Sequence, residues 1–154
     1  MPKAFSMTDR EVEVINQSWN QIKAQELVVG LQMFKLLFQR YPQYERLFTH
    51  LHQSGKSLYE GDRFQHHVVR NIMSSINKVI EQLNSADSAP RTLQEMGVRH
   101  KKLDVHRKHF ESFVPFVVDA MVNVRMSMDK DEVASAWTKL MDAIASNLSK
   151  GVES

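Results

Sequence analysis

Apolar residues recur at intervals of three and four along nearly the whole 154-residue chain. That spacing places them on one face of an α-helix, which has about 3.6 residues per turn. Only five glycines and four prolines are available to interrupt the pattern, and no segment alternates apolar and polar residues as a strand does. The length suits one domain with a sizeable core. We therefore predict a single all-α domain over residues 1–154, with a core of about 7–150.

Two pairs of residues mark helix starts in this pattern. Thr8 with Glu11, and Asp129 with Glu132, have the spacing of a capping box. In that motif the two side chains bond the free backbone N–H groups of the first helical turn. Both pairs precede apolar stripes, so each predicts the start of a long helix.

Prolines and glycines predict where other helices begin, bend or end. Pro42 suits the first turn of a short helix that would end near Phe48. Residues 49–61 are polar and hold two glycines, which predicts an irregular connection before a long helix starting at Asp62. Pro115 lies inside a later stripe, where we expect it to bend the helix or shift its start.

Composition excludes several classes of function. The formal net charge is only +2, so no nucleic-acid or anionic-membrane partner is implied. There is no cysteine, which excludes disulfides, thiolate metal sites and thioether-attached cofactors. No stretch approaches the ~20 apolar residues of a membrane span, and no phosphate loop or nucleophile motif is present. A cytoplasmic protein is expected.

Histidine is the residue type that offers chemistry here. His100 interrupts an apolar stripe between Met96 and Leu103. A histidine at such a position is either a metal ligand or a hydrogen-bonded core residue. His66 and His67 are adjacent on the preceding long helix, so their side chains diverge by about 100°. They cannot bind one ion together, and periodicity does not decide between them. Two opposed helices could bring one of them and His100 to opposite faces of a flat, iron-bearing ligand.

Four of the other histidines lie on polar stretches and are expected to be solvated. They are His50, His52, His106 and His109.

Several short fragments, in order along the chain, resemble a known family. They are Ser18-Trp19, Gly30 with Phe34 and Phe38, Pro42 with Phe48, Arg63 to Arg70, Leu93 with Gly97 and His100, and Ala136-Trp137 with Leu140. From about residue 6 to 150 they resemble the globins. Within that family they look most like the neuroglobin, cytoglobin and globin X group. The resemblance implies a globin fold of about seven to eight helices around a pocket for non-covalent haem b.

The resemblance assigns the two histidines. It makes His100 the proximal iron ligand, with its other ring nitrogen donating to a backbone carbonyl or water. It places His67 on the distal side and His66 outside, because the other register would direct the Arg70 cation at the iron. His67 then either donates a hydrogen bond to bound oxygen or binds the iron itself as sixth ligand, and the resemblance favours the second role.

The same resemblance implies the other cofactor contacts. Arg70 pairs with a propionate or reaches over the bound ligand. Asn71 falls where the family has an apolar residue facing the gas, so either the pocket is polar or the helix is rotated. Val68 falls where many members keep a small residue opposite Gly30. The remaining contacts are Phe34 and Phe48 on the distal side and haem edge, and Met96, Leu103, Val105 and Phe110 on the proximal side and floor.

Three functions are compatible with this reading. The first is reversible oxygen binding at haem iron for storage or transport, with dioxygen and other diatomic gases as partners. The second is a redox or sensor protein served by a reductase, for nitric oxide dioxygenation, nitrite reduction or electron transfer. The third is a haem-free helical module. Enzyme activity is left open, and either a monomer or a homodimer is compatible with the sequence.

Overall fold

Six α-helices make up most of the computed structural model, which describes residues 2–154. They are α1 (Asp9–Ile22), α2 (Glu26–Arg40), α3 (consecutive segments Asp62–Phe64, Gln65–Val69 and Arg70–Glu81), α4 (Ser88–Arg99), α5 (Arg107–Val122) and α6 (Lys130–Glu153). Short 3-10 segments lie at Ala4–Ser6, Lys23–Gln25, Pro42–Leu51, Leu58–Glu60 and Lys101–Leu103. No strand occurs in the described residues, so the all-α prediction is confirmed.

The first of the two predicted capping boxes is complete. The Glu11 backbone N–H donates to Thr8 Oγ1 at 3.0 Å, and the Thr8 N–H donates to Glu11 Oε1 at 2.8 Å. At the start of α6 only half of the box forms. Asp129 accepts from backbone N–H groups, but the Glu132 carboxylate instead pairs with Arg10 of α1 at 2.7 Å. An ion pair between two helices has replaced a local cap.

The proline and loop expectations are met in part. The segment after Pro42 is a 3-10 helix that continues to Leu51 rather than ending near Phe48. The connection that follows contains one further helical turn, Leu58–Glu60. Helix α5 begins at Arg107 and runs through Pro115, so the proline does not shift its start. Pro115 is exposed.

Two apolar clusters form the interior. The larger one contains residues of all six helices, among them Trp137, which is fully buried. The indole N–H of Trp137 donates to Ser18 Oγ at 2.9 Å, which satisfies its only polar group. The second cluster is rich in aromatic residues and joins α2, the 42–51 segment and the start of α3. Ile72 and Phe113 pack against both clusters.

Helices α4 and α6 touch backbone to backbone at two glycines. A Cβ atom on Gly97 would overlap the carbonyl oxygen of Leu148, and one on Gly151 would overlap that of Gln94. Only glycine permits this approach. Gly97 lies three residues before His100. This close contact therefore sets how near the end of α4 lies to α6.

No helix within residues 2–154 combines the length and the apolar character that crossing a bilayer requires.

Candidate functional site

His100 ends helix α4, and its ring is oriented by a backbone hydrogen bond. Its Nδ1 atom lies 2.8 Å from the carbonyl oxygen of Met96. Because a carbonyl can only accept, Nδ1 carries the proton and Nε2 keeps its lone pair. This arrangement, in which one ring nitrogen donates to a carbonyl, also orients the ring of metal-ligating histidines. The half-buried imidazole therefore presents one nitrogen suited to a metal.

Apolar side chains surround this imidazole. Phe110 meets it edge to face, with ring centroids 5.8 Å apart, and Met96 is buried beneath it. Val98 and Leu103 flank it along the chain and are 47% and 43% exposed, which is unusual for such side chains. Val105 is half-buried. These apolar side chains suit contact with a flat apolar ligand.

A polar corner follows His100 and turns the chain into α5. Asp104 adopts a left-handed conformation with φ of 57°, and its carboxylate lies 2.8 Å from His106 Nε2. The His106 backbone N–H donates to Nδ1 of His109 at 2.9 Å. The hydrogen bond from His106 lowers the pKa of Asp104. Burial, helped by Lys108 and His106, lowers the pKa of His109.

A separate group of apolar side chains consists of phenylalanine rings. Phe34 of α2 lies 5.7 Å from Phe48, 5.2 Å from Phe64 and 4.9 Å from Phe113, centroid to centroid. Phe34 is buried, whereas Phe48 is half-buried. The structure thus brings together the two residues expected on the distal side. Phe64 and Phe113 join them, although the sequence did not single them out for the site.

Helix α3 contains a π-helical turn at Gln65–Val69. The Arg70 N–H donates to the carbonyl oxygen of Gln65, five residues back, whereas an α-helix bonds four back. His66 and His67 lie inside this turn, and both are exposed. Single π turns are rare and occur frequently at functional sites.

The π turn changes which residues of α3 face the core. Phe64, Val69 and Met73 are fully buried, and the step from Phe64 to Val69 is five residues. A Cβ atom on Gly30 would overlap Cγ1 of Val69. The expectation that Val68 lies opposite Gly30 is therefore wrong, because the extra residue of the turn brings Val69 there instead.

Asn71, which the resemblance placed facing the gas, forms a hydrogen bond within α3. Its side chain is exposed, and its amide Nδ2 donates to the carbonyl oxygen of His67 at 2.7 Å. Ile72 is the residue of this turn that packs inward. The inward packing of Ile72 is what the rotated-helix alternative expects. Arg70 is exposed and makes no ion pair within residues 2–154.

Comparison with known proteins identifies the family. The globin family profile matches residues 31–148, which is most of the chain. This protein belongs to the globins, whose members bind haem and take diatomic gases at its iron.

Similar proteins come from several animals. The chain is 27% identical over 147 residues to globin, major polymeric component P1, of Glycera dibranchiata, covering 92% of this chain and 97% of that one. It is 26% identical over 148 residues to cytoglobin-1 of Oryzias latipes, covering 92% and 81% respectively. The crystal structure of a hexacoordinated haem protein from an anhydrobiotic tardigrade superposes with a TM-score of 0.82 at 16% identity, over 97% of each chain. The fold is that of a globin.

The site residues fit a haem group. His100 offers a single oriented imidazole nitrogen, the donor type that holds haem iron in globins. The apolar side chains beside it suit the porphyrin faces, and His67 has no hydrogen-bond partner for its ring among the described residues. No group of three or more potential ligands gathers elsewhere in residues 2–154, so His50, His52, His106 and His109 form no such metal centre.

Three site features were missed by sequence reasoning: the π turn, the bond from Asn71 to His67, and Gly151 as the partner of Gly97. The only sequence trace of the π turn is the five-residue step from Phe64 to Val69. Adjacent apolar pairs at 68–69 and 72–73 hid that step, because they fit two registers equally well.

Proposed function

We propose that this protein binds haem b with His100 as the axial ligand through Nε2, and that it binds dioxygen reversibly. The observation that carries this is the His100 imidazole, oriented at the end of α4 by the Met96 carbonyl, in a chain that belongs to the globins. Haem iron supplies the gas-binding chemistry. The hydrogen bond at Nδ1 makes His100 a more basic ligand and holds its ring in one orientation.

The other residues of the site have separate tasks in this proposal. Met96, Leu103, Val105 and Phe110 cover the proximal side and keep water away from the iron. Phe34 and Phe48 close the distal side as one aromatic wall. Arg70, exposed beside the π turn, pairs with a haem propionate.

Removal of the imidazole at residue 100 tests haem ligation directly. Purified His100→Gly protein is expected to lose the Soret band of the wild type, and added imidazole is expected to restore it by filling the space. His50→Ala is the matched control, because it removes an exposed histidine of the 42–51 segment and should leave the spectrum unchanged. An unaltered spectrum in His100→Gly would disprove the proposal.

We further propose that His67 binds the iron as a sixth ligand when no gas is present. Support comes from the π turn that carries His67 and from the structural likeness to a haem protein described as hexacoordinated. An incoming gas must then displace His67, so the apparent affinity is reduced by the fraction of open sites. The deoxygenated ferrous protein should show two sharp visible bands, and His67→Leu should show one broad band.

Oxygen storage and redox chemistry differ in the fate of the oxygenated protein. A storage or transport role predicts reversible oxygen equilibrium with slow oxidation of the iron. Oxidation within seconds, followed by rapid re-reduction with a reductase, would favour the redox alternative. Both quantities can be measured by absorption spectroscopy on one sample. A cytoplasmic location, with which the absence of cysteine is compatible, completes the proposal.

A further inference from the structure

We infer that Asn71 is a positioning residue for His67, and that it acts through the π turn rather than through the pocket. Its amide holds the His67 carbonyl in the position that this turn creates, and so restrains movement of His67 toward the iron. The inference rests on the proposed function, since it assigns a task to a residue that acts on a haem ligand. It concerns how strongly His67 competes with a gas.

The end of the π turn and the helix after it are held in place by their packing. Val69, Met73, Ile76 and Val79 are all at most 3% exposed, and Val69 fills the space beside Gly30. Rotating or sliding this part of α3 would uncover these side chains and open cavities, which costs several kcal/mol for even one large residue. It therefore acts as a fixed support.

The middle residues of the π turn, 66–68, are packed much less tightly. His66 and His67 are exposed, and Val68 is half-buried. Because the turn contains one residue more than an α-helical turn, their positions are not dictated by the register of the locked part. Burial in the core therefore does not hold His67. What restrains it must be a local contact.

The hydrogen bond from Asn71 is that contact. It runs 2.7 Å from the side-chain amide to the His67 carbonyl oxygen, four residues back, and joins the mobile turn to the fixed support. A ligand histidine that moves toward a metal carries its backbone along, and this bond resists that motion. One neutral hydrogen bond can shift such an equilibrium by about two- to tenfold.

Three substitutions separate this role from a general effect on stability. Asn71→Ala removes the bond. Asn71→Ser restores a donor, since serine hydroxyls of this chain already bond carbonyls four residues back, as Ser112 bonds Lys108 at 2.6 Å. Asn16→Ala removes the same kind of bond from α1, where Asn16 Nδ2 donates to the Val12 carbonyl at 3.0 Å. Asn16 lies on α1, which contributes none of the proposed haem contacts.

Two measurements apply to each variant. The binding constant of His67 for the iron is obtained from the ferrous spectrum and from competition with carbon monoxide. Amide hydrogen exchange of residues 65–70 is measured on the haem-free protein, where no ligand contributes. Asn71→Ala is expected to raise the His67 binding constant two- to tenfold and to speed exchange in the π turn. Asn71→Ser should return both toward wild type, and Asn16→Ala should speed exchange only in α1.

The outcomes separate this inference from the proposed function. If Asn71→Ala leaves the His67 binding constant unchanged or lowers it, the inference is wrong, and so it is if Asn16→Ala has the same effect. Absence of His67 ligation in every variant also overturns it, although haem is still bound through His100. Failure of the wild type to bind haem would instead disprove the proposed function.

Discussion

At the scale of single residues, small groups decide how the site is held. The carbonyl oxygen of Met96 determines which nitrogen of His100 is free for a metal. The missing side chains of Gly97 and Gly151 determine how deeply α4 sits against α6. Neither effect adds a group to the site, yet both control where the proposed axial ligand, His100, lies.

Gly151→Ala is expected to destabilise the protein by about 1–3 kcal/mol, because the new methyl group forces two backbones apart. Chemical denaturation of the haem-free protein measures this loss. Ser135→Ala is the control, since Ser135 is exposed on the same helix and alanine fits there without a clash. Equal stability of Gly151→Ala and wild type would show that the crossing is looser than described.

Stability should fall as the pH drops from 7 to 5, in part because of His109. Burial lowers the pKa of this histidine below its ordinary value of 6.5 in the folded chain. The unfolded chain therefore takes up the proton first, which favours unfolding as the pH falls through 6.5 toward the lowered value. Protonation would also abolish the bond that Nδ1 of His109 accepts from His106.

His109→Gln provides the test of this pH dependence. Glutamine does not titrate, so the free energy of unfolding should fall less steeply between pH 7 and 5 in the variant than in wild type. Carboxylates ordinarily have pKa values below this range, so they contribute little to the slope of either protein. Identical slopes for the two proteins would contradict the assignment.

At the scale of elements, α3 shows which features of a helix the sequence pattern predicts and which it does not. Its start at Asp62 and its helical character agree with the structure. The sequence did not determine which residues of α3 face the core. Val68 and Val69 are adjacent apolar residues, and so are Ile72 and Met73. A stripe can be drawn through either member of each pair. Only packing against Gly30 of α2, a residue far away in sequence, selects Val69.

Deleting single residues from α3 is expected to distinguish its two parts. Deletion of Val68 removes the extra residue of the π turn, so Val69 and the core face beyond it keep their positions. Deletion of Ser74, which is exposed in the regular part, rotates Val69 and Met73 by about 100° relative to the rest of the helix. The Ser74 deletion should cost several kcal/mol more stability, measured by denaturation. Equal losses would argue against a tolerant π turn.

At the scale of the whole molecule, two apolar clusters share the interior, with Ile72 and Phe113 touching both. In our proposal the haem contacts Phe110, beside the larger cluster, and Phe34 and Phe48 of the second, and becomes part of the core. Ligand binding and folding are then linked, because a group that binds only the folded chain stabilises it.

Haem removal is accordingly expected to lower stability. With free haem at a hundredfold excess over its dissociation constant, the folded state gains about 2.7 kcal/mol. Thermal unfolding of haem-bound and haem-free protein measures the difference. His100→Ala should show a much smaller gain. The same unfolding temperature with and without haem would mean that haem does not bind the folded chain.

The sequence alone determined the helical class, the starts of α1, α3 and α6 and the histidines worth attention, since these depend on local spacing, caps and residue type. Tertiary structure alone decided the side of α3 that is buried, the hydrogen bond from Asn71 to the His67 carbonyl and the partner of Gly97. Those features depend on contacts between residues distant along the chain, where adjacent apolar residues or a glycine permit more than one local solution. Packing between helices leaves only one of these.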